Sequence, residues 1–352
     1  MDKVKKIVDQ IIDLSHSKGK TTVFLIGNTA KIEDVDFYLI PVRSYSQIVV
    51  AGAIVFSELT AKNIVKTIDG LVDYIFVDSE KKISDKYSIN KAPSNIERAV
   101  KETVVDSQLI SYKANDLTVD AADSFIAEYF LTDISGIGGK KTAIIGAGNV
   151  GSKIGMKLVE RGSDVTLYRR DVKKLDLIVD YINSTKSKYT VARAYGSHSA
   201  LEASNKADIL IGSASGVAVI NEEIISSIDD KTLIVDAGKG SIGRDALLLA
   251  HSRKIEVYRL SVESAIEGMV LSLISTHNSF NNLVGRDIFD GVKVVSGGLI
   301  AGENEFVVDN YSNPKIIYGL GNGMGDFNRK LNKEMLDALN KLENFINGNH
   351  DT

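Results

Sequence analysis

Short apolar runs alternate with amphipathic stretches along most of the chain. Thr22 to Ile26, Val72 to Val77, Ala207 to Ile211 and Leu233 to Asp236 are too short for helices and read as buried strands. Asp36 to Val42, Gln108 to Lys113, Lys188 to Arg193 and Ile255 to Leu260 read as further strands. Helical spacing predicts helices at the N-terminus, over Ser94 to Val104, and over Thr118 to Leu131. Ser94 is the expected cap of the second, with Glu97 three residues on as in a capping box. Ile48 to Ile68 is long and mixed and is expected to be helical, with Ala and Gly on a packed face. Helices and strands that alternate in this way argue for a largely parallel sheet.

The segment from Lys140 to Asp171 is the most specific part of the pattern. A strand from Thr142 to Ile145 leads into Gly146-Ala147-Gly148-Asn149-Val150-Gly151. An amphipathic helix, Gly162 and a second strand, Val165 to Tyr168, follow. This is a complete βαβ dinucleotide-binding unit. Gly146 permits the turn, Gly148 lets a pyrophosphate approach the backbone, and Gly151 lets the helix pack on the sheet. The helix N-terminus then faces the phosphate charge. Folds that prefer NAD place an acidic residue at the end of the second strand, whereas this strand ends in Tyr168-Arg169-Arg170-Asp171. Two arginines there suit a 2′-phosphate, so NADP is the expected cofactor, with NAD possible if Asp171 takes the ribose. Ser213 and Ala214 follow a later strand and sit where a cofactor lies against backbone.

The fold class expected is α/β: an N-terminal α/β domain (1–117), a Rossmann domain with a doubly wound parallel sheet (118–286) and a C-terminal extension ending in a helix (287–352). In the extension, Val292 to Val295 and Glu305 to Val308 are expected to form a hairpin. The run Gly319 to Gly325 reads as a tight connection or as a loop over a substrate pocket.

Composition narrows the function. The 352 residues carry a net charge of -4, which gives no nucleic-acid footprint. The absence of cysteine excludes disulfides and thiolate chemistry, and the five histidines show no metal-ligand spacing. The N-terminus is amphipathic rather than a signal peptide, and the longest apolar run, Ile48 to Phe56, is too short to span a bilayer. A cytoplasmic protein with a small-molecule substrate, no membrane partner and a possible homodimeric state is expected.

Hydride transfer needs a substrate held against the nicotinamide and one proton moved. The substrate is expected in the cleft between the first two domains. Arg43, Ser44 and Ser46 are candidates for a carboxylate seat, or equally a helix cap with a surface arginine. Asp106, Lys113 and Asp120 are the proton-transfer candidates, each with a cap or a solvated charge as its alternative reading.

The helix with Thr118, Asp120 and Phe125 that enters GGKKTAIIGAGNVG, and the strand end YRRD followed by Lys173-Lys174, carry a family resemblance. They resemble shikimate dehydrogenase and the methylene-tetrahydrofolate and methylene-tetrahydromethanopterin dehydrogenases, which share an amino-acid-dehydrogenase-like N-terminal domain. Ile40-Pro41-Val42-Arg43-Ser44 and the stretch from Asp106 to Asn115 are similar to the pyrrolysine-biosynthesis dehydrogenase. The resemblance spans about residues 36 to 275. It implies NAD(P)-dependent oxidoreduction of an amino-acid-like or hydroxy-acid substrate. The shikimate enzyme's Asn-Thr-Asp is matched either by Asn115-Asp116 or by Thr118-Val119-Asp120, which implies substrate contact from Asn115 or from Asp120. The shikimate enzyme's paired-serine loop and catalytic lysine motif are missing, which removes shikimate as the expected substrate. The missing motifs leave open an NADPH-binding sensor, or a lyase or cyclase that recycles its cofactor.

Overall fold

A computed structural model describes residues 1–29, 35–84, 93–214 and 216–348. The chain forms two compact units, Met1–Met269 and Val270–Thr352. Among the described residues no helix is long and apolar enough to cross a membrane.

The first unit opens with α1 (Asp2–His16), which buries Val4, Ile7, Val8 and Ile11, one stripe at helical spacing. Next come β1 (Thr21–Gly27), β2 (Phe37–Ser44), β3 (Ile48–Val55), α2 (Glu58–Ile68), β4 (Tyr74–Asp78), α3 (Ile96–Lys101) and β5 (Gln108–Tyr112). These strands lie in the order β2-β3-β1-β4-β5. All pair in parallel except β2, which runs antiparallel to β3 along the sheet edge. Phe24 and Phe76 are fully buried here, each contributing about 1.5–3 kcal/mol by leaving water.

Two local expectations fail. Ile48 to Ile68 is not one helix but β3 followed by α2. The run IVVAGAIV is rich in branched residues and lies between two strands, so it is apolar on both faces like a central strand. Ser57 then caps α2 by accepting from the Thr60 amide at 3.1 Å. Ser94 is not the cap of α3: Asn95 is, accepting from the Arg98 amide at 3.1 Å. Glu97 therefore makes no capping box and turns to Lys81, Lys101 and Ser111.

Helix α4 (Ala114–Tyr129) begins before the expected Thr118 and leads to the second sheet. There follow β6 (Lys141–Ile145), α5 (Asn149–Glu160), β7 (Asp164–Tyr168), α6 (Val172–Thr185), β8 (Ala194–Ser197), α7 (Ala200–Ser204), β9 (Ile209–Gly212), α8 (Glu222–Ser226), β10 (Leu233–Asp236), α9 (Arg244–Ser252) and β11 (Val257–Arg259). The order β11-β10-β9-β6-β7-β8, parallel throughout, is that of a doubly wound Rossmann sheet. Lys188 to Arg193 is not a strand. Tyr189 and Val191 project into solvent, and pairing with β7 starts only at Ala194, which the Asn183 side chain also brackets.

Helix α10 (Glu263–Asn282) carries the chain into the second unit: β12 (Gly285–Phe289), β13 (Val292–Ser296), β14 (Glu303–Val308), β15 (Ile317–Asn322) and α11 (Lys333–Gly348). The four strands lie in sequence order, and α11 buries Leu342 and Ile346 against them. Val292 to Val295 and Glu305 to Val308 do not form a hairpin, because β13 and β14 pair in parallel. The hairpin is β12–β13, turned by Asp290 and Gly291, both at positive φ as a type I′ turn requires. Half of the second glycine run is strand: a Cβ on Gly319 would strike the Phe327 ring at 2.7 Å. Its turn is held by Asn322, which accepts from the Met324 amide at 2.8 Å.

Candidate active site

Strand order in the second sheet reverses at β6, whose neighbours are β7 and β9. The crevice beyond their carboxyl ends is where such sheets bind ligands. The glycine loop fills it. Gly146 stands at φ +106°, and a Cβ there would meet the Ala214 amide nitrogen at 2.8 Å. A Cβ on Gly151 would meet Ser213 Oγ at 2.3 Å and the Gly146 carbonyl at 2.7 Å. Ser213 donates to that carbonyl at 2.6 Å, so Ser213 and Ala214 brace the loop from β9. Gly148 differs: nothing lies closer to its Cβ position than the Gly146 carbonyl at 4.0 Å. Gly148 also caps α5 without any side-chain bond. The first amides of a helix have no partner within it, so Asn149, Val150 and Gly151 present N–H groups on the open side. Open backbone, unspent amides and the positive end of a helix dipole fit a pyrophosphate.

At the end of β7, Arg169 Nη1 donates to the Ala147 carbonyl at 3.0 Å and lies over the loop. Arg170 is exposed. Asp171 caps α6, accepting from the Lys174 amide at 3.2 Å. Its carboxylate is committed to the helix, which leaves the arginines as the polar groups beyond the strand.

The candidates for substrate and proton chemistry do not come together. Asp106 precedes β5 and Lys113 follows it, so they lie at opposite ends of the strand, roughly 20 Å apart. The Asp106 amide is held by Asp69, which also accepts from Val105 and Ser107. Arg43, Ser44 and Ser46 sit at the amino ends of the parallel strands, since β2 is antiparallel and Ser44 pairs with Val49. Arg43 is paired with Glu263, and the Ser46 amide donates to Glu267 at 2.8 Å. The expected carboxylate seat thus docks the chain's own α10. Asp120 is paired with Lys157 at 3.1 Å and its side chain is 59 % exposed. Lys157 lies eight residues beyond Asn149, about 12 Å along α5 from the glycine loop. Asp120 therefore faces the α4–α5 groove, not the cofactor. Beside it Arg161 grips Asp123 through Nε at 2.5 Å and Nη2 at 2.8 Å. Burial alone would raise the Asp123 carboxyl, but Arg161 and Lys157 hold it below its usual range.

Lys113 and Asn115 remain on the carboxyl side. Lys113 reaches Asp116 at 3.7 Å. Asn115 bridges the two sheets: its amide donates to Glu80 at 2.8 Å and its Nδ2 lies 3.4 Å from Asn149 Oδ1 in the glycine loop. Glu80 belongs to a cluster that no sequence motif marks. Asn28 follows β1, and Asp78 ends β4 with no side-chain surface exposed. Lys82 Nζ pairs with Asp78 at 2.7 Å and Glu80 at 3.0 Å. Asn28 Nδ2 donates to Asp78 at 3.3 Å and to the Glu80 carbonyl at 3.1 Å. Its trace in the sequence is a polar residue ending each apolar run, in VFLIGN and YIFVD.

Residues 141–277 match the family described as 3-hydroxyacyl-CoA dehydrogenase, NAD binding domain. The chain therefore carries an NAD(P)-binding Rossmann domain of the dehydrogenase type. No curated protein matches the sequence at a significant level. Among solved structures, one of the subunits of dipicolinate synthase from Bacillus halodurans is 15% identical, with 73% of this chain and 97% of that one covered and a TM-score of 0.36. L-tryptophan dehydrogenase from Nostoc punctiforme is 12% identical, with 74% of each chain covered and a TM-score of 0.40. Ornithine carbamoyltransferase from Pyrococcus furiosus is 12% identical over 77% of this chain and 91% of that one, with a TM-score of 0.41. At these TM-scores the likenesses carry no weight on function.

Proposed function

We infer that the protein is an NADP-dependent oxidoreductase that moves a hydride to or from a small polar substrate. The observation that carries this reading is the end of β7. Arg169 lies against the glycine loop, and the nearby carboxylate, Asp171, is spent on a helix cap. An NAD site would need that carboxylate for the ribose hydroxyls. Bound NADP supplies the hydride chemistry. The amides of Asn149, Val150 and Gly151 would hold its pyrophosphate and Arg169 and Arg170 the 2′-phosphate, while Ser213 and Ala214 keep the loop in shape. Proton exchange with the substrate is assigned to Lys113, which lies at the carboxyl end of β5. Neither Asp106 nor Asp120 serves there.

Fluorescence titration tests the cofactor choice. NADPH should bind more tightly than NADH. Arg169→Ala should weaken NADPH by about 1.5–3 kcal/mol, the value of a charged hydrogen bond, and leave NADH nearly unchanged. Equal wild-type affinity for the two cofactors would overturn the assignment.

A further inference from the structure

The loop after β10 is bolted to its surroundings, and Lys239 stands apart in it. The Ala237 and Gly238 amides donate to the Gly212 carbonyl at 2.8 and 3.0 Å, and the Gly238 carbonyl accepts from the Gly216 amide at 3.1 Å. Asp236, 6 % exposed, accepts from the Gly240 amide at 2.7 Å and from Ser241 Oγ at 2.5 Å. Lys239 is exposed, and neither its main chain nor its side chain makes a hydrogen bond or ion pair among the described residues.

The backbone of Lys239 is left-handed, at φ +55°. A side chain is disfavoured there because Cβ crowds the following carbonyl. The other non-glycine residues at positive φ among the described ones have local reasons. Lys206 and Lys254 close helices α7 and α9, Asp290 turns a hairpin, and Asn304 sits at a register shift in β14. Lys239 closes no helix or hairpin, and both its neighbours are glycines. A strained residue in a loop fixed on all sides points to a role for its side chain.

That loop lies against the cofactor loop. A Cβ on Gly146 would meet the Ala214 nitrogen at 2.8 Å, and one on Gly238 would meet the Ala214 carbonyl oxygen at 2.3 Å. The loops after β6, β9 and β10 are therefore stacked in contact. A doubly wound sheet takes one nucleotide of a dinucleotide on each half of its strand order. On the NADP reading, the adenosine half belongs to β6, β7 and β8, where Arg169 lies, and the nicotinamide half to β9, β10 and β11. Lys239 is on the nicotinamide side, where the substrate must sit. Its ammonium has three donors and suits an anion. The pyrophosphate has the amides at the start of α5, which leaves the substrate as the anion to be met.

We propose that Lys239 binds the carboxylate of the substrate beside the nicotinamide, so that the substrate is a small carboxylic acid. This rests on the NADP-dependent oxidoreductase reading and narrows its substrate class.

Glycolate and its neutral amide, glycolamide, are the probes. Each is titrated calorimetrically into protein saturated with NADPH, a pairing with no hydride to transfer. Glycolate should bind at least about tenfold more tightly than glycolamide, as a charged hydrogen bond gives. Lys239→Ala should abolish that difference and Lys239→Arg should keep it. Lys231→Ala, the same loss of charge ahead of β10, should leave it unchanged. No glycolate binding, equal binding of the two probes, or full glycolate affinity in Lys239→Ala would overturn the proposal.

The cofactor pair tests the placement. The oxidised nicotinamide ring carries a positive charge that the reduced ring lacks. Lys239→Ala should tighten NADP⁺ relative to NADPH by about fivefold, the effect of two unit charges about 4 Å apart in water. Equal weakening of both cofactors would put the lysine on the pyrophosphate and sink the assignment. Lys239→Gly should melt no lower than the wild type, because it relieves the backbone and breaks no hydrogen bond. A lower melting temperature would make the residue structural and would also contradict the proposal. Failure of the wild type to bind NADPH counts against the oxidoreductase reading. Glycolate binding, read again on protein without nucleotide, then decides the lysine by itself.

Discussion

The two sheets of the first unit present opposite chemistry at their carboxyl ends. Beyond β6 the surface is main chain: glycines, free amides and a braced carbonyl, with Arg169 the charged side chain bonded to the loop. Beyond β1, β4 and β5 it is side chain: a buried aspartate, a lysine between two carboxylates and an amide oxygen with no hydrogen-bond partner among the described residues. The first kind of surface recognises a feature common to all dinucleotides, a charged pyrophosphate close to backbone. The second is particular in its chemistry, because each side chain adds a donor, an acceptor or a charge. A glycine motif constrains the backbone at fixed spacing and survives in the sequence as a pattern. A side-chain site assembled from the ends of separate strands leaves no spacing to find.

The contrast predicts different failures. Asp78→Ala, at the second surface, removes the partner of Lys82 and an acceptor for the amides of Glu80 and Ala114. It should cost about 3–5 kcal/mol in denaturant unfolding, as breaking a buried ion pair does. A loss under about 1 kcal/mol, the range of an exposed pair, would mean the cluster is solvated and the contrast is overdrawn. At the first surface, Gly151→Ala drives a methyl into Ser213 Oγ and the Gly146 carbonyl. An overpacking cost of about 1–3 kcal/mol is expected, together with weaker NADPH binding. Full stability in this variant would show that β9 does not brace the loop.

These two cases also show what is legible in a sequence. The glycine loop, its strand and helix, and the Rossmann order of the second sheet follow from periodicity and the motif. Asp106, Arg43 and Asp120 lie away from the glycine loop for a reason the sequence does not carry: periodicity marks where strands end but not strand direction or helix phase. Arg43 moved to the far edge because β2 is antiparallel, which its Pro41 in an edge position fits but does not announce. Asp120 moved because α4 starts at Ala114 and turns it toward Lys157. The hairpin in the second unit is legible, since Asp290-Gly291 is a strong turn signal.

Acid titration gives a smaller effect. The Lys101 hydrogen bond, with those from Ser111 and Lys81, outweighs burial and lowers Glu97 from 4.5 to about 2. A carboxyl lowered on folding adds stability that is complete above pH 4.5 and is lost as pH falls toward 2. Glu97→Gln should therefore be less stable than the wild type at neutral pH and should lose less over that window. Parallel stability curves for the two proteins would refute the coupling. The smallest effect is expected from Asp120→Asn. An exposed pair with Lys157 contributes about 0–1 kcal/mol, and cofactor binding should be unchanged. A large loss of NADPH affinity would bring Asp120 back to the site.

The central claim is that the backbone at Gly148 holds the cofactor, and calorimetric titration of NADPH into wild type and Gly148→Val tests it most directly. Space is open at that Cβ and φ is −87°, so the variant should fold and melt like the wild type. The wild type should bind NADPH at a single site, and the variant at least about a hundredfold more weakly, a loss of about 2.7 kcal/mol. Equal affinity in two equally stable proteins would contradict the account.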